Sequence, residues 1–186
     1  MSYTLFDFDI KEIEREDLQD KVSWCKWGED MEVAFLTKYG YNFGLDINPQ
    51  KKEKPTVPDF IHVDSNKIVD LKTQNTPFFQ ANKYGVPPQF AVTFNDNDLD
   101  YYKNCYPDII IIFHVEWLVH KLQFPNGSEK VVSKMEGIWV TTINRIDKEC
   151  TANNLHEYKQ RLNDEKGNAK NSYVLDLRNN IFDKKL

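Results

Sequence analysis

The longest uninterrupted apolar run in the chain is five residues, Ile109-Ile110-Ile111-Ile112-Phe113, and it limits what the sequence can build. A bilayer span needs roughly 20 such residues, so this run reads instead as a buried strand. With 40% hydrophobic, 13% aromatic and 28% charged side chains among 186 residues, there is enough apolar material for a packed core. The length suits one domain. A disordered tail, a collagen-like repeat and a low-complexity linker are thereby excluded. Residues Met1 to Asp7 lack the basic and apolar regions of a signal peptide. Cys25, Cys105 and Cys150, odd in number and far apart, suit reduced thiols rather than disulfides or a zinc site. The expectation is a cytoplasmic globule with no membrane partner.

Periodicity and breakers give a coarse map. A first, acidic helix is expected over 10–24, and a second from about Trp27 to Tyr39, ended by Gly40. Residues 48–55 form a polar loop. Phe60–Val63 and Ile68–Leu71 read as a hairpin around Asp64-Ser65-Asn66-Lys67. Residues 73–88, with three prolines, read as loop. Further strands are expected at Gln89–Phe94, Ile109–Val119, Ile138–Ile143 and Tyr173–Leu177, with a hairpin at Pro125-Asn126-Gly127. Leu155–Leu162 reads as a helix, and Lys184-Lys185-Leu186 as a frayed end. The order implies a single α/β or α+β domain over 1–186. It divides into an acidic helical segment (1–26), a core (27–119) and a C-terminal hairpin, helix and strand (120–186).

Chemistry concentrates on the first hairpin. In the expected register Val63 faces Ile68, Ile61 faces Asp70 and Asp59 faces Lys72. Asp59, Asp70 and Lys72 then share one face, with Phe60, His62, Val69 and Leu71 on the other. Two carboxylates beside an ammonium suit a hard divalent cation, which takes oxygen ligands and phosphate. The bland alternative is a cross-strand ion pair, worth under ~1 kcal/mol when exposed. Glu32 adds weight: Phe35, Leu36 and Tyr39 follow it at i+3, i+4 and i+7, which turns its carboxylate towards the interior. A snorkelling rim position is the alternative there, and Glu29 is the substitute one turn earlier.

Pro58-Asp59, ten residues, then Asp70-Leu71-Lys72 resembles the signature of the PD-(D/E)XK nuclease superfamily. The upstream Gly28-x-x-x-Glu32-x-x-x-Leu36-x-x-x-Gly40 is similar to the Glu-bearing helix of Holliday-junction resolvases, RecB-like nucleases and many restriction enzymes. The resemblance implies a restriction endonuclease-like αβββαβ core, with a mixed central sheet flanked by helices. It also implies Mg²⁺ or Mn²⁺ held by Glu32, Asp59, Asp70 and the Leu71 carbonyl, with Lys72 as the catalytic lysine. The expected activity is phosphodiester hydrolysis in DNA, with RNA and a homodimer left open. It covers residues 27–119. Thr73 and Gln74 after the lysine, and Gln80-x-x-x-Tyr84, are weaker likenesses to RecB-like members.

The formal charge of -5 would ordinarily oppose a polyanion partner. Residues 1–32 hold ten acids and four basic residues, which leaves 33–186 at +1. Lys51, Lys52, Lys54 and Lys83, with Gln74, are the expected backbone contacts. His62, His114, His120 and His156 show no metal spacing, and His114 reads as a satisfied, partly buried histidine. The tryptophans read as core. Tyr158, Arg161, Asn171 and Tyr173 read as a packed surface group. Two rival readings are a nuclease-fold binding module without catalysis and a partner-binding protein that uses its acidic first 32 residues.

Overall fold

A computed structural model describes residues 3–13, 21–158 and 171–186. Its centre is a six-stranded sheet. Helix α1 (Lys21–Phe43) leads into β3 (Leu45–Ile47), β4 (Phe60–His62) and β5 (Ile68–Gln74), three consecutive antiparallel strands. After an excursion through β6 (Ala91–Asn95) and α2 (Asp96–Cys105), β7 (Ile110–Glu116) joins parallel to β5. Two antiparallel strands, β10 (Glu136–Thr142) and β13 (Asp183–Lys184), complete the order β13-β10-β7-β5-β4-β3. A second sheet pairs β6 with β12 (Ser172–Asp176) and β11 (Leu155–His156). A third contains β1 (Thr4–Phe6), β2 (Glu12–Ile13), β8 (Lys121–Gln123) and β9 (Glu129–Val131). The chain is therefore a mixed α+β protein.

The isoleucine run has a direct explanation. Ile112 faces α1, in a cluster with Phe35, Phe60, Val69, Leu71 and Ile138. Its neighbours Ile111 and Phe113 face the other way, against Phe94 of β6, Leu99 and Tyr102 of α2, and Ile143 and Ile146 of α3 (Ile143–Glu149). A strand covered on both faces loses the polar alternation of a half-exposed one. The same sandwiching holds for β5, with α1 over Val69 and Leu71 and α2 over Asp70.

Several expected boundaries move. Gly40 does not end the second helix; it is buried inside α1, where an added Cβ would lie 2.7 Å from Leu36 Cδ1. The helix stops instead at Gly44, whose φ of +60° favours glycine. The expected helix over 10–24 is not one element: 12–13 belong to β2, 14–20 lie outside the described residues, and 21–24 already belong to α1. Leu155-His156 is a strand where a helix was expected, and Leu162 lies outside the described residues. The last strand of the middle region ends at Thr142, and α3 begins at Ile143. Helix α2 was not placed from the sequence at all. Among the described residues no helix is long and apolar enough to cross a membrane.

The C-terminal residues also differ from the frayed end that was expected. Lys185 N–H donates to the Ile138 carbonyl at 2.8 Å, and Ile138 N–H to that of Leu186 at 3.3 Å. Arg145 pairs with Asp183 at 2.8 Å. Each net hydrogen bond is worth about 0.5–1.5 kcal/mol. A chain truncated after Phe182 should therefore lose about 1–3 kcal/mol in urea unfolding; an unchanged midpoint would mean the tail contributes nothing.

Candidate active site

The site begins with the β4–β5 turn. Phe60 pairs with Val69 and Ile61 with Ile68, and His62 N–H donates to Lys67 at 2.8 Å. The turn is thus Val63–Asn66, two residues out of step with the expected register. His62 Nδ1 takes contacts from Ser65 N at 3.3 Å and Ser65 Oγ at 3.0 Å, and Asn66 accepts a φ of +53°. A slip of two leaves every side chain on its expected face, because the strand period is two. Its consequence is that Asp59, one step beyond the Phe60–Val69 pair, falls opposite Asp70 rather than Lys72. Both aspartates are buried, with 7% and 4% exposure.

Side chains from four directions converge on this pair. Lys51 Nζ bonds both Glu32 Oε2 and, at 2.5 Å, Asp59 Oδ1. The other Asp59 oxygen accepts the Leu71 amide at 2.8 Å. Asp70 Oδ1 accepts the Tyr102 hydroxyl at 2.8 Å. Lys72 Nζ lies 2.8 Å from Asp70 Oδ2 and 2.7 Å from Asp98 Oδ2. Lys72 therefore bridges Asp70 and Asp98, and its ammonium is the contact that compensates the buried Asp70 Oδ2.

Local structure explains these positions. Glu32 is carried by the helix whose Phe35 is only 2% exposed, so the apolar stripe does orient it inward, with a side chain still 26% exposed. Lys51 sits on a short 3-10 turn, Pro49–Lys52, anchored by the buried Asn48. Asn48 donates from Nδ2 to the Pro58 carbonyl at 2.9 Å and from its amide to the Asp59 carbonyl at 2.9 Å. The loop is thus tied to the backbone that carries Asp59, and Lys51 turns inward.

This corrects its expected role as a phosphate contact. Gln74 is also engaged inside, bonding both the carbonyl (2.7 Å) and the amide (3.2 Å) of Thr93. Lys52 and Lys54 are exposed, as is Lys83, which bonds Gln80 at 2.8 Å. Tyr84 bonds His156 at 2.7 Å, so Gln80 and Tyr84 serve separate local contacts. Glu29 is exposed, which leaves Glu32 as the helix's contribution. His114 is partly buried, but its Nε2 has no hydrogen-bond partner among the described residues, contrary to expectation. Trp117 and Trp139 are buried; the side chains of Trp24 and Trp27, and Arg161, lie outside the described residues.

Asp98 and Tyr102 were missed because α2 was. The available signal was Asp96 and Asp98 in a first turn followed by Leu99 and Tyr102 at a spacing of three.

Burial dominates the electrostatics. It pushes the Asp70 carboxyl up to about 6, against the pull of Lys72. Asp59 is raised by burial and by Glu32. Burial favours loss of the proton from both lysines, but their carboxylate neighbours outweigh it: Lys72 is held well above its ordinary value by Asp70, Tyr102 and Asp98, and Lys51 is raised by Asp59 and Glu32. With every group ionised, four carboxylates and two ammoniums leave a surplus of two negative charges.

Among the described residues, no three His, Cys, Asp or Glu side chains lie together as a ready metal-binding group. Lys51 bridges Glu32 and Asp59, while Lys72 bridges Asp70 and Asp98. The donor set nevertheless fits a hard divalent cation: its carboxylates supply only oxygen donors, and with every group ionised the site carries a surplus of two negative charges. Comparison with protein-family models, characterised proteins and solved structures finds no match for the chain.

A carboxyl held above its ordinary value gives stability at low pH that is lost as pH rises through about 6. In EDTA, the unfolding free energy of Asp70→Asn relative to wild type should therefore shift in the variant's favour between about pH 4 and about pH 8. The shift should reach up to ~3 kcal/mol, at 1.36 kcal/mol for each tenfold change in ionisation. A difference that stays constant across that range would contradict a strained, buried carboxylate.

Proposed function

We propose that this chain is a metal-dependent nuclease that hydrolyses phosphodiester bonds, in DNA, through a PD-(D/E)XK-type centre of Glu32, Asp59, Asp70 and Lys72. The observation that carries the reading is the buried Asp59–Asp70 pair, with Lys72 against Asp70 and Glu32 linked to Asp59 through Lys51. With β6 set aside as part of the second sheet, α1, three antiparallel strands, α2 and a parallel strand follow the αβββαβ order, which supports a restriction endonuclease-like core.

Mg²⁺ or Mn²⁺ held by Asp59, Asp70 and the Leu71 carbonyl, with Glu32 alongside, would supply Lewis-acid stabilisation of charge on the phosphate. The protein's own residues divide the remaining work. Asp59 is fixed by the Leu71 amide, so one of its oxygens keeps a set direction. Lys72 is held as an ammonium by Asp70 and Asp98. It donates hydrogen bonds, which orient a water and neutralise the developing oxyanion. The exposed Lys52, on the same turn as Lys51, and Lys54 just after it would meet the phosphate backbone.

One observation favours a second reading, a nuclease-fold binding module without catalysis: Lys51 fills the gap between Glu32 and Asp59. In the nuclease, Lys51 must give up those bonds when the cation enters. In a binding module it would keep them.

The two separate in one assay, with supercoiled plasmid and linear oligonucleotides incubated with Mg²⁺, Mn²⁺ or EDTA. The nuclease reading predicts cleavage with either ion, none in EDTA, and a loss of about 100-fold or more in Lys72→Ala and Asp59→Asn. Because Lys72 has two carboxylate partners, Lys72→Ala should also lower Tm, so circular dichroism must confirm folding. DNA binding without cleavage under both ions identifies the module. Cleavage by Lys72→Ala at the wild-type rate removes the proposed mechanism.

A further inference from the structure

Helix α2 lies on the face of β5 away from α1, and two of its side chains enter the site from there. Tyr102 is 5% exposed and its ring packs against Phe94 and Tyr106 at 6.4 and 6.3 Å between centroids. Its hydroxyl donates to Asp70 Oδ1. One helical turn earlier, Asp98 accepts from Lys72 at 2.7 Å. The two contacts have different consequences. Tyr102 occupies Oδ1 of Asp70, so Oδ2, buried and 2.8 Å from the Lys72 ammonium, is the oxygen on the lysine side of the carboxylate. Asp98 gives Lys72 Nζ a second carboxylate partner, at 2.7 Å against 2.8 Å for Asp70 Oδ2.

Resting on the nuclease reading, we propose that Tyr102 and Asp98 are positioning residues of this centre. Tyr102 selects the Asp70 oxygen that would be presented to a divalent cation, and Asp98 gives the Lys72 ammonium a second carboxylate to hold when a cation takes its place at Asp70. A four-residue spacing puts both on one face of α2, so a single rigid helix aligns the carboxylate and the amine together. Partners that orient a metal-binding carboxylate commonly change metal affinity by about 10–100-fold when removed. Asp98 acts on the amine and not on the reacting atoms, so its removal should lower turnover more than substrate binding.

The test titrates Mn²⁺ into wild type, Tyr102→Phe, Asp70→Asn and the same-helix control Tyr101→Phe, by calorimetry on folded protein. Tyr102→Phe keeps the buried ring and removes only the hydroxyl. Its Mn²⁺ Kd should rise about tenfold or more, with Tyr101→Phe unchanged and Asp70→Asn showing no binding. In the plasmid assay, Asp98→Asn should lower kcat about tenfold while KM stays within about twofold, a split that general destabilisation would not produce. Wild-type Mn²⁺ affinity in Tyr102→Phe, alongside lost binding in Asp70→Asn, would overturn the role of Tyr102 and leave the nuclease reading standing. An unchanged kcat in Asp98→Asn would likewise overturn the role of Asp98. Equal Mn²⁺ binding by wild type and Asp70→Asn would remove the metal centre itself, and this inference with it.

Discussion

Two buried carboxylates face each other across neighbouring strands, and the rest of the site answers the cost of holding them there. Asp59 and Asp70 repel one another and have lost most of their hydration. The fold meets that cost with directed partners. A backbone amide and Lys51 serve Asp59, while a tyrosine hydroxyl and Lys72 serve Asp70. Glu32 and Asp98 stand at the outer ends of this chain of alternating charge, and the two lysines link them to the centre. Lost stability is the expected price of such an arrangement.

The scaffold explains how side chains so far apart in sequence meet. Strand β5 is covered on both faces, so its odd and even residues address different helices. Val69 and Leu71 fix α1 through Phe35, and that helix brings Glu32. Asp70 and Lys72 point to the opposite face, where α2 supplies Tyr102 and Asp98. Asp59, at the start of β4, connects the two sides through the Leu71 amide and Lys51. Parallel pairing of β5 with β7, whose isoleucines fill both clusters, keeps the strand from shifting.

What could be read from sequence follows from the range of each interaction. The alternation of Asp59, Ile61, Asp70 and Lys72 against Phe60, Val69 and Leu71 is local and period-two, so the faces were legible even though the register was two residues off. The turn itself was not, because it depends on His62–Ser65 bonding and on Asn66 taking a positive φ. Glu32 was legible from Phe35, Leu36 and Tyr39. Lys51 was misread as outward because its direction is set by Asn48 tying to Pro58 and Asp59, a tertiary contact. Helix α2 buries only Leu99 and Tyr102 in ten residues, too little apolar pattern to stand out among its aspartates. The C-terminal strand is charged and exposed, and it is ordered by its edge pairing with β10.

The central claim is that these carboxylates are gathered for a cation, with Lys51 occupying part of the space meanwhile. Its most direct test is anomalous X-ray diffraction from crystals soaked in Mn²⁺. The account predicts an anomalous peak within coordination distance of both Asp59 and Asp70, with the Lys51 ammonium withdrawn from Asp59. An ordered site with no peak there, and Lys51 still bridging Glu32 and Asp59, would contradict it.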